Sequence, residues 1–374
     1  EELWSLTPLW WSSLSFTQSP NNLIILQLAK LSGFATITAA IVLVNLLLAE
    51  AIILVKQNSS LLILPLVCFF SLHLLGFYFY QQPITKDNQN LLNVGIVQGN
   101  IPNEIKLYPA GWRQAINGYI TGYQKLAQQG VDLVITPETA LPFYWQDLIQ
   151  SSSNLYQVVT KAKTPILVGA FGKKKQGYTN SLFLLTGEGK TFSRYDKYKL
   201  VPIGEYIPFE SVFGKIIDRL SPLDAHLIKG EANQIVNSPF GQFIVGICYE
   251  SAFSHHFRRQ AKAGGKFIIT ASNNAHYSSA MPAQHHAQDI IRAIETDRWA
   301  ARATNTGYSG IVDPHGNTVW LSELNTYQLY TGEIYTRATQ TLYVKYGDWL
   351  TVFLLVMTAV TLTLGITRAR LTEL

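Results

Sequence analysis

Cysteine is nearly absent: there are two in 374 residues, Cys68 and Cys248. Two cysteines so far apart make no disulfide framework. Cys68 lies inside an apolar run and reads as a packing residue, which leaves Cys248 as a free thiol. Charge is scarce as well. Lys, Arg, Asp and Glu make up 14% of the chain while 48% is hydrophobic, a balance unusual for a water-soluble enzyme that points to a membrane component. The net charge of +5 is spread out, and no basic run carries interleaved aromatics, so nucleic acid is not an expected partner. Repeats and low-complexity tracts are missing. No basic n-region with a cleavage site precedes the apolar runs, and a chain opening on Glu1 reads as the later part of a longer protein.

Three stretches are long enough to span a hydrocarbon core, which needs about 20 helical residues. They are residues 33–55, 61–80 and 349–367. Buried core helices are the alternative, but such helices carry a polar face, and the second and third stretches have none. Lys56 lies in the tight loop between the first two spans, and Arg368 and Arg370 follow the third. Short basic flanks face the cytoplasm, so residues 81–348, joining the second span to the third, are expected on the opposite side. Tyr78, Tyr80, Tyr346 and Trp349 stand where aromatic anchors belong, and residues 368–374 form a cytoplasmic tail. Residues 1–32 carry Trp4, Trp10, Trp11, Gln27 and Lys30, a mixture that reads as an interfacial segment, with extension of the first span as the alternative.

Between the second and third spans the pattern changes to that of a water-exposed domain over residues 91–340. Strands are expected at 92–98, 131–135, 166–171, 178–185, 190–195, 243–248 and 266–270, and helices at 112–128, 153–162, 253–263 and 283–302. Short strands around Gly310, Val319 and Leu329 close the domain. This alternation argues for an α/β layered domain. Residues 206–234 lack clear periodicity; they form either a lid hinged at Gly204, Gly214 and Gly230 or a packed connection.

Three of these strands end on chemistry. The run 131–137 delivers Glu138, the run 191–196 delivers Lys197, and the run 243–247 delivers Cys248. Each alone has a plainer explanation: a cap or surface carboxylate, a solvated ammonium, a small core thiol. Together at strand ends they suit acyl transfer. Cys248 would attack a carbonyl as thiolate, a state that a nearby ammonium favours. Glu138 would take the thiol proton and later deprotonate an amine. Lys197, with a backbone N–H near Cys248, would hold the oxyanion. The pairs His255-His256 and His285-His286 suggest a metal, but adjacent helical histidines diverge and no third ligand is evident at suitable spacing. They read as polar surface or as loops over the site.

The segments Thr136-Pro137-Glu138-Thr139-Ala140, Tyr195-Asp196-Lys197-Tyr198-Lys199-Leu200-Val201-Pro202 and Cys248-Tyr249-Glu250 resemble, in order, the three signatures of the nitrilase (carbon–nitrogen hydrolase) superfamily. The resemblance covers roughly residues 91–336 and implies an αββα sandwich. Ile203-Gly204-Glu205-Tyr206-Ile207-Pro208-Phe209 and Arg302-Ala303-Thr304-Asn305-Thr306-Gly307 are similar to segments of the apolipoprotein N-acyltransferase family, whose nitrilase-like domain lies between membrane helices. Pro8-Leu9 and Leu14-Ser15-Phe16-Thr17-Gln18 are a weaker match. That resemblance implies a further essential glutamate at Glu205, with Tyr249 and Glu250 shaping the site. It implies a phospholipid acyl donor, a diacylated apolipoprotein acceptor, a bacterial inner membrane and no external cofactor. The chain departs from the family at Lys106-Leu107, where a lysine–tryptophan pair is usual, and at Asn274 and His276, where aspartate and tryptophan are usual. Two other readings use the same residues: a membrane-anchored amidase with water as acceptor, and a non-catalytic binding module.

Overall fold

The computed structural model describes residues 1–54, 59–175, 177–206, 227–276 and 278–372. Lys56, which carries part of the orientation argument, lies outside the described residues, as does the side chain of Arg370. Most of the 206–234 loop, Gly214 included, lies outside them too.

Three described helices are long and apolar enough to cross a membrane: α1 (Phe34–Leu54), α2 (Ile63–Tyr80) and, at the end of the chain, α7 (Trp349–Thr372). Apolar side chains are exposed around all of them, Ile53, Leu74 and Leu364 among them. Exposed apolar surface on this scale is stable only against lipid or another protein.

Between α2 and α7 the chain folds into two six-stranded sheets. The first sheet is built from β1 (Leu91–Gln98), β2 (Leu133–Ile135), β3 (Ile166–Lys174), β4 (Gly177–Leu185) and β5 (Thr191–Asp196), with the last strand, β12 (Gln328–Tyr335), beside β1. The second contains β6 (Val236–Ser238), β7 (Gly241–Ile247), β8 (Ile268–Ser272), β9 (Ala300–Thr304), β10 (Gly310–Val312) and β11 (Thr318–Leu321), with neighbours in that order. In each sheet three central strands are parallel, β1-β2-β3 and β7-β8-β9, and the outer ones antiparallel. Parallel strands covered on both faces are mostly apolar, as residues 243–247 of β7 and Ile268, Ile269 and Ala271 of β8 are.

Leu92, Val94, Ile96, Ile135 and Leu184 of the first sheet meet Val245, Ile247, Ile269, Ala301 and Ile311 of the second in one core. Helices α3 (Pro109–Gln128) and α4 (Asn154–Ala162) cover the outer face of the first sheet through Tyr119, Tyr123, Leu126 and Val159. Helices α5 (Ser254–Lys262) and α6 (Ala280–Thr296) cover the second through Phe257, Ile290 and Ile294. The order of layers is helix, sheet, sheet, helix.

Three features differ from the sequence reading. The helix expected over 283–302 stops at Thr296, where Asp297 turns left-handed at φ 55° and caps it. Residues 300–304 are strand β9, central in the second sheet. Ala-Ala-Arg-Ala-Thr has helical propensity, but burial between β8 and β10 decides its state. The histidines are not surface. His256, His285 and His286 are buried, and His256 Nε2 sits 3.0 Å from Tyr195 Oη and 2.9 Å from Val245 O. Burial pushes all three below the ordinary histidine range. Among the described residues no three potential ligands gather around a metal position.

Residues 1–32 form short helical turns laid on α5 and α6. Trp10, Ile25, Leu26 and Leu28 pack with Phe253, Phe257, Ile290 and Ile294. Trp10 Nε1 donates to Ala252 O at 2.9 Å, and Gln27 Nε2 to His315 O at 2.8 Å. The opposite side of the segment exposes Leu3, Trp4, Leu6 and Leu9.

Candidate active site

Four strand ends converge on one cavity of about 300 Å³. Glu138, Lys197, Glu205 and Cys248 all line it. The first three follow the first sheet and Cys248 the second, so the cavity straddles the seam between the sheets.

Cys248 opens a 3₁₀ turn, Cys248–Ala252, directly after β7. Its φ is 52°, a left-handed conformation that costs a non-glycine residue about 1–2 kcal/mol. Glu250 holds the turn. Its Oε2 accepts Ile247 N at 2.7 Å, and its Oε1 accepts Tyr198 N at 2.7 Å and Lys199 N at 3.0 Å. Tyr195 Oη donates to the same carboxylate at 2.8 Å. Glu250 is fully buried and outside the cavity. It ties the cysteine turn to the segment that carries Lys197.

Tyr249 points the other way, with its Oη 2.7 Å from Pro8 O and 2.6 Å from Trp10 O. Trp11 stacks on its ring at 6.0 Å. The N-terminal segment therefore braces the nucleophile turn from behind.

The carboxylate of Glu138 accepts three hydrogen bonds among the described residues, which leaves Oε2 an open lone pair. Oε1 accepts Lys197 Nζ at 2.8 Å and Asn180 Nδ2 at 2.7 Å, while Oε2 accepts Asn273 N at 2.9 Å. Lys197 Nζ also reaches Glu205 Oε1 at 2.9 Å, and Glu205 Oε2 accepts Val201 N at 2.7 Å. Lys106 Nζ donates to the backbone O of Glu138 at 3.1 Å.

The charges settle one another. Burial pushes Glu138 up, but the Lys197 ammonium, its hydrogen bond, Lys106 and Asn180 outweigh burial and hold the carboxyl below its usual range. Burial and the neighbouring Glu138 charge lift Glu205 against the pull of Lys197. Lys197 loses affinity for its proton through burial and regains more from Glu138, Glu205 and Cys248. Cys248 goes the way the sequence argument did not expect. Burial, then Glu138, pushes the thiol up to about 12, and Lys197 only partly opposes them. The Lys197 ammonium, already engaged by two carboxylates, does not offset the burial of the thiol.

The structure thus brings Glu138, Lys197, Glu205 and Cys248 together and sets Tyr249 and Glu250 behind them. Asn180 and Asn273 also touch the site and were not singled out from sequence; Lys106, noted there only as part of a departure from the family pattern, touches it as well. Asn180 carries one signal, an amide inside the apolar strand β4, where a buried polar side chain needs a partner. Of the unusual positions, Leu107 and His276 line the cavity, and Asn274 is buried with Nδ2 2.8 Å from His285 Nδ1. Arg302 supports the far side, donating to Ser251 Oγ at 2.8 Å and Ser272 Oγ at 3.1 Å and pairing with Asp289.

Comparison with known proteins places this geometry. The carbon-nitrogen hydrolase family model matches residues 93–342. An apolipoprotein N-acyltransferase of Nostoc sp. is 56% identical over 94% of this chain and 70% of its own length. One from Synechocystis sp. is 47% identical over 96% of this chain and 71% of its own. This chain belongs to the apolipoprotein N-acyltransferase family. Its nitrilase-type fold is shared with an amidase from Nesterenkonia sp. AN1, at a TM-score of 0.51, 14% identity and coverage of 71% of this chain and 96% of that one. The C. elegans NitFhit protein aligns at a TM-score of 0.52 and 17% identity, over 72% of this chain and 65% of that one. Relative to those solved folds, this acyltransferase-family chain adds apolar helices on both sides of the sandwich.

Proposed function

We propose that this protein moves an acyl chain from a phospholipid ester to the α-amine of an N-terminal diacylglyceryl-cysteine on an apolipoprotein, through a thioester on Cys248. The observation that carries the reading is the shared cavity. A neutral buried thiol and a carboxylate held ionised line one space, on a chain with three membrane-length apolar helices. A thiol with a pKa of about 12 needs a base as it attacks. Glu138 is that base. It takes the proton from Sγ as sulfur bonds to the ester carbonyl, then passes it to the departing glycerol oxygen. A lysophospholipid leaves and the acyl-enzyme remains. The incoming amine then attacks the thioester, Glu138 takes its proton, and sulfur recovers it as the amide forms. Lys197 donates to two carboxylates among the described residues; its third hydrogen supports the oxyanion in both halves. Glu205 fixes Lys197.

The proposed arrangement has an interfacial segment at 1–32, two membrane helices over 33–82, the catalytic domain at 91–340, a third membrane helix at 349–367 and a cytoplasmic tail at 368–374. The domain faces the periplasm from the bacterial inner membrane, within reach of both lipid substrates. The test is intact-protein mass spectrometry after incubation with a phospholipid of defined acyl chains. The expected result is one acyl mass on Cys248, moving to the amine of a diacylated lipopeptide, with none on Cys248→Ala. Release of free fatty acid at the same rate with and without lipopeptide would instead establish the amidase-like alternative with water as acceptor.

A further inference from the structure

A second cavity, of about 240 Å³, lies behind the nucleophile turn. Its walls include Lys199, Lys229, Tyr249 and Phe253, and Leu6 and Leu200 add an apolar edge. It shares no wall residue with the catalytic cavity. Chain geometry explains the proximity: Lys197 lines the catalytic cavity, while Lys199, two residues later, lines this one.

Positive charge gathers here among the described residues. Lys199 Nζ sits over the Phe253 ring at 4.4 Å and the Tyr198 ring at 5.5 Å, and the Arg259 guanidinium lies 5.6 Å from the same tyrosine. Lys199, Lys229 and Arg259 form no ion pair among the described residues. Arg259 Nε and Nη2 are buried without a hydrogen-bond partner. Burial, Arg259 and Lys229 all make Lys199 easier to deprotonate, with Glu250 opposing. An anion entering between the lysines relieves that repulsion.

The position favours a lipid. Leu6 belongs to the segment that exposes Leu3, Trp4 and Leu9 by 79%, 59% and 64%. That segment also meets two membrane-length helices where they begin: Thr38 Oγ1 donates to Glu1 Oε2 at 2.7 Å, and Trp349 Nε1 to Leu31 O at 2.8 Å. Basic side chains beside an apolar membrane-facing edge are how proteins recognise anionic lipid.

We propose that this pocket binds the phosphate of an anionic phospholipid head group between Lys199 and Lys229, with the lipid tails leaving over Leu6 and Leu200. The proposal rests on the reading of phospholipid as acyl donor. Because the pocket shares no wall with the catalytic cavity, the lipid it holds is a second, docking lipid that draws the enzyme to anionic surfaces, not the donor whose ester meets Cys248.

The full chain in mixed micelles tests it, with acylation of Cys248 followed against the mole fraction of dioleoylphosphatidylglycerol or of dioleoylglycerol. Charged contacts of this kind set affinity by about tenfold each. The Lys199→Ala/Lys229→Ala double variant is expected to raise half-saturating phosphatidylglycerol at least about tenfold, leaving the rate at saturation and the response to dioleoylglycerol in place. Arginine at both positions restores wild-type half-saturation. An unchanged half-saturation in the alanine double variant overturns the proposal. Inorganic phosphate competing as tightly as the lipid also overturns it, since the site would then be one for free anions. If neither lipid acylates the wild type, native mass spectrometry decides separately. Phosphatidylglycerol retained by the wild type and lost by the double variant supports the pocket while the acyl-transfer reading fails; retention by both sinks the pocket.

Discussion

Lys106 is a residue whose chemistry only the fold exposes. Its ammonium is buried and bonded to the backbone of the turn that carries Glu138. Burial lowers its pKa to about 8, although Glu138 and Cys248 pull the other way. Below that pH it is charged and favours the negative charge that develops at Cys248 as the thiol proton leaves; above it the Lys106 proton is lost and that support goes. Acyl-enzyme formation is expected to fall as pH rises through about 8. Lys106→Met should lower the rate and flatten that alkaline limb, and a pH–rate profile of both proteins checks it. Glu250 makes the opposite case, structural rather than reactive. Glu250→Gln turns one of its acceptor oxygens into a donor facing backbone N–H groups, and each buried N–H left unmet costs about 1–3 kcal/mol. The expected result is a fall in Tm of at least about 3 °C together with a loss of acylation rate, read by thermal scanning and mass spectrometry. Glu138, Lys197 and Cys248 were legible in the sequence because each ends a strand-like run. Asn180 and Asn273 were not, because their role depends on which strand lies opposite, and the direction of the Cys248 shift was not, because it depends first on burial and then on the two carboxylates beside Lys197.

At the scale of the element, the turn that presents Glu138 depends on what β3 lacks. A Cβ on Gly169 would lie 2.1 Å from Pro137 O and 2.7 Å from Thr139 N. The Glu138 turn rests directly on β3, with Leu141 N bonded to Gly169 O at 2.9 Å. Gly169→Ala must push that turn away and carry Glu138 with it. Overpacking of this kind costs about 1–3 kcal/mol, and a misplacement of about 1 Å in a catalytic group slows reaction about 100-fold. The prediction is a folded variant with modestly lower Tm and acylation slowed at least about tenfold; wild-type acylation would show that the turn adjusts freely. Elements with strong patterns were readable from sequence, β1, β7 and α4 among them. The end of α6 was not, because the Ala-Ala-Arg-Ala-Thr of β9 has no strand pattern of its own and takes its state from its neighbours. The close of the 206–234 loop is packed where it is described. Gly230 N donates to Lys197 O at 2.7 Å, and a Cβ there would meet Asp196 O at 2.1 Å.

The whole molecule couples its N-terminus, its sandwich and its apolar helices more tightly than composition implied. Spans and an α/β domain can be found by periodicity, which is local. That residues 1–32 brace the Cys248 turn through Tyr249 is a contact between positions some 240 apart, and no pattern along the chain encodes it. The same arrangement constrains topology. α1 begins and α2 ends against the domain, as Phe34 N bonded to Glu295 and Tyr80 Oη to Asn317 attest, and α7 begins against the N-terminal segment packed on it, through Trp349 Nε1 to Leu31 O. Those three helix ends must therefore lie on the same side of a bilayer as the sandwich. The orientation proposed above, from short basic flanks at the other ends, would put that side outside the cytoplasm. The chain offers a clean probe, since Cys248 is buried, Cys68 lies within α2, and Glu188 is exposed in the turn between β4 and β5. Glu188→Cys in intact spheroplasts should react with a membrane-impermeant maleimide to the same extent before and after lysis. Labelling that appears only after lysis would put the domain in the cytoplasm, where the proposed lipoprotein amine is not presented, and would overturn both the orientation and the choice of acceptor.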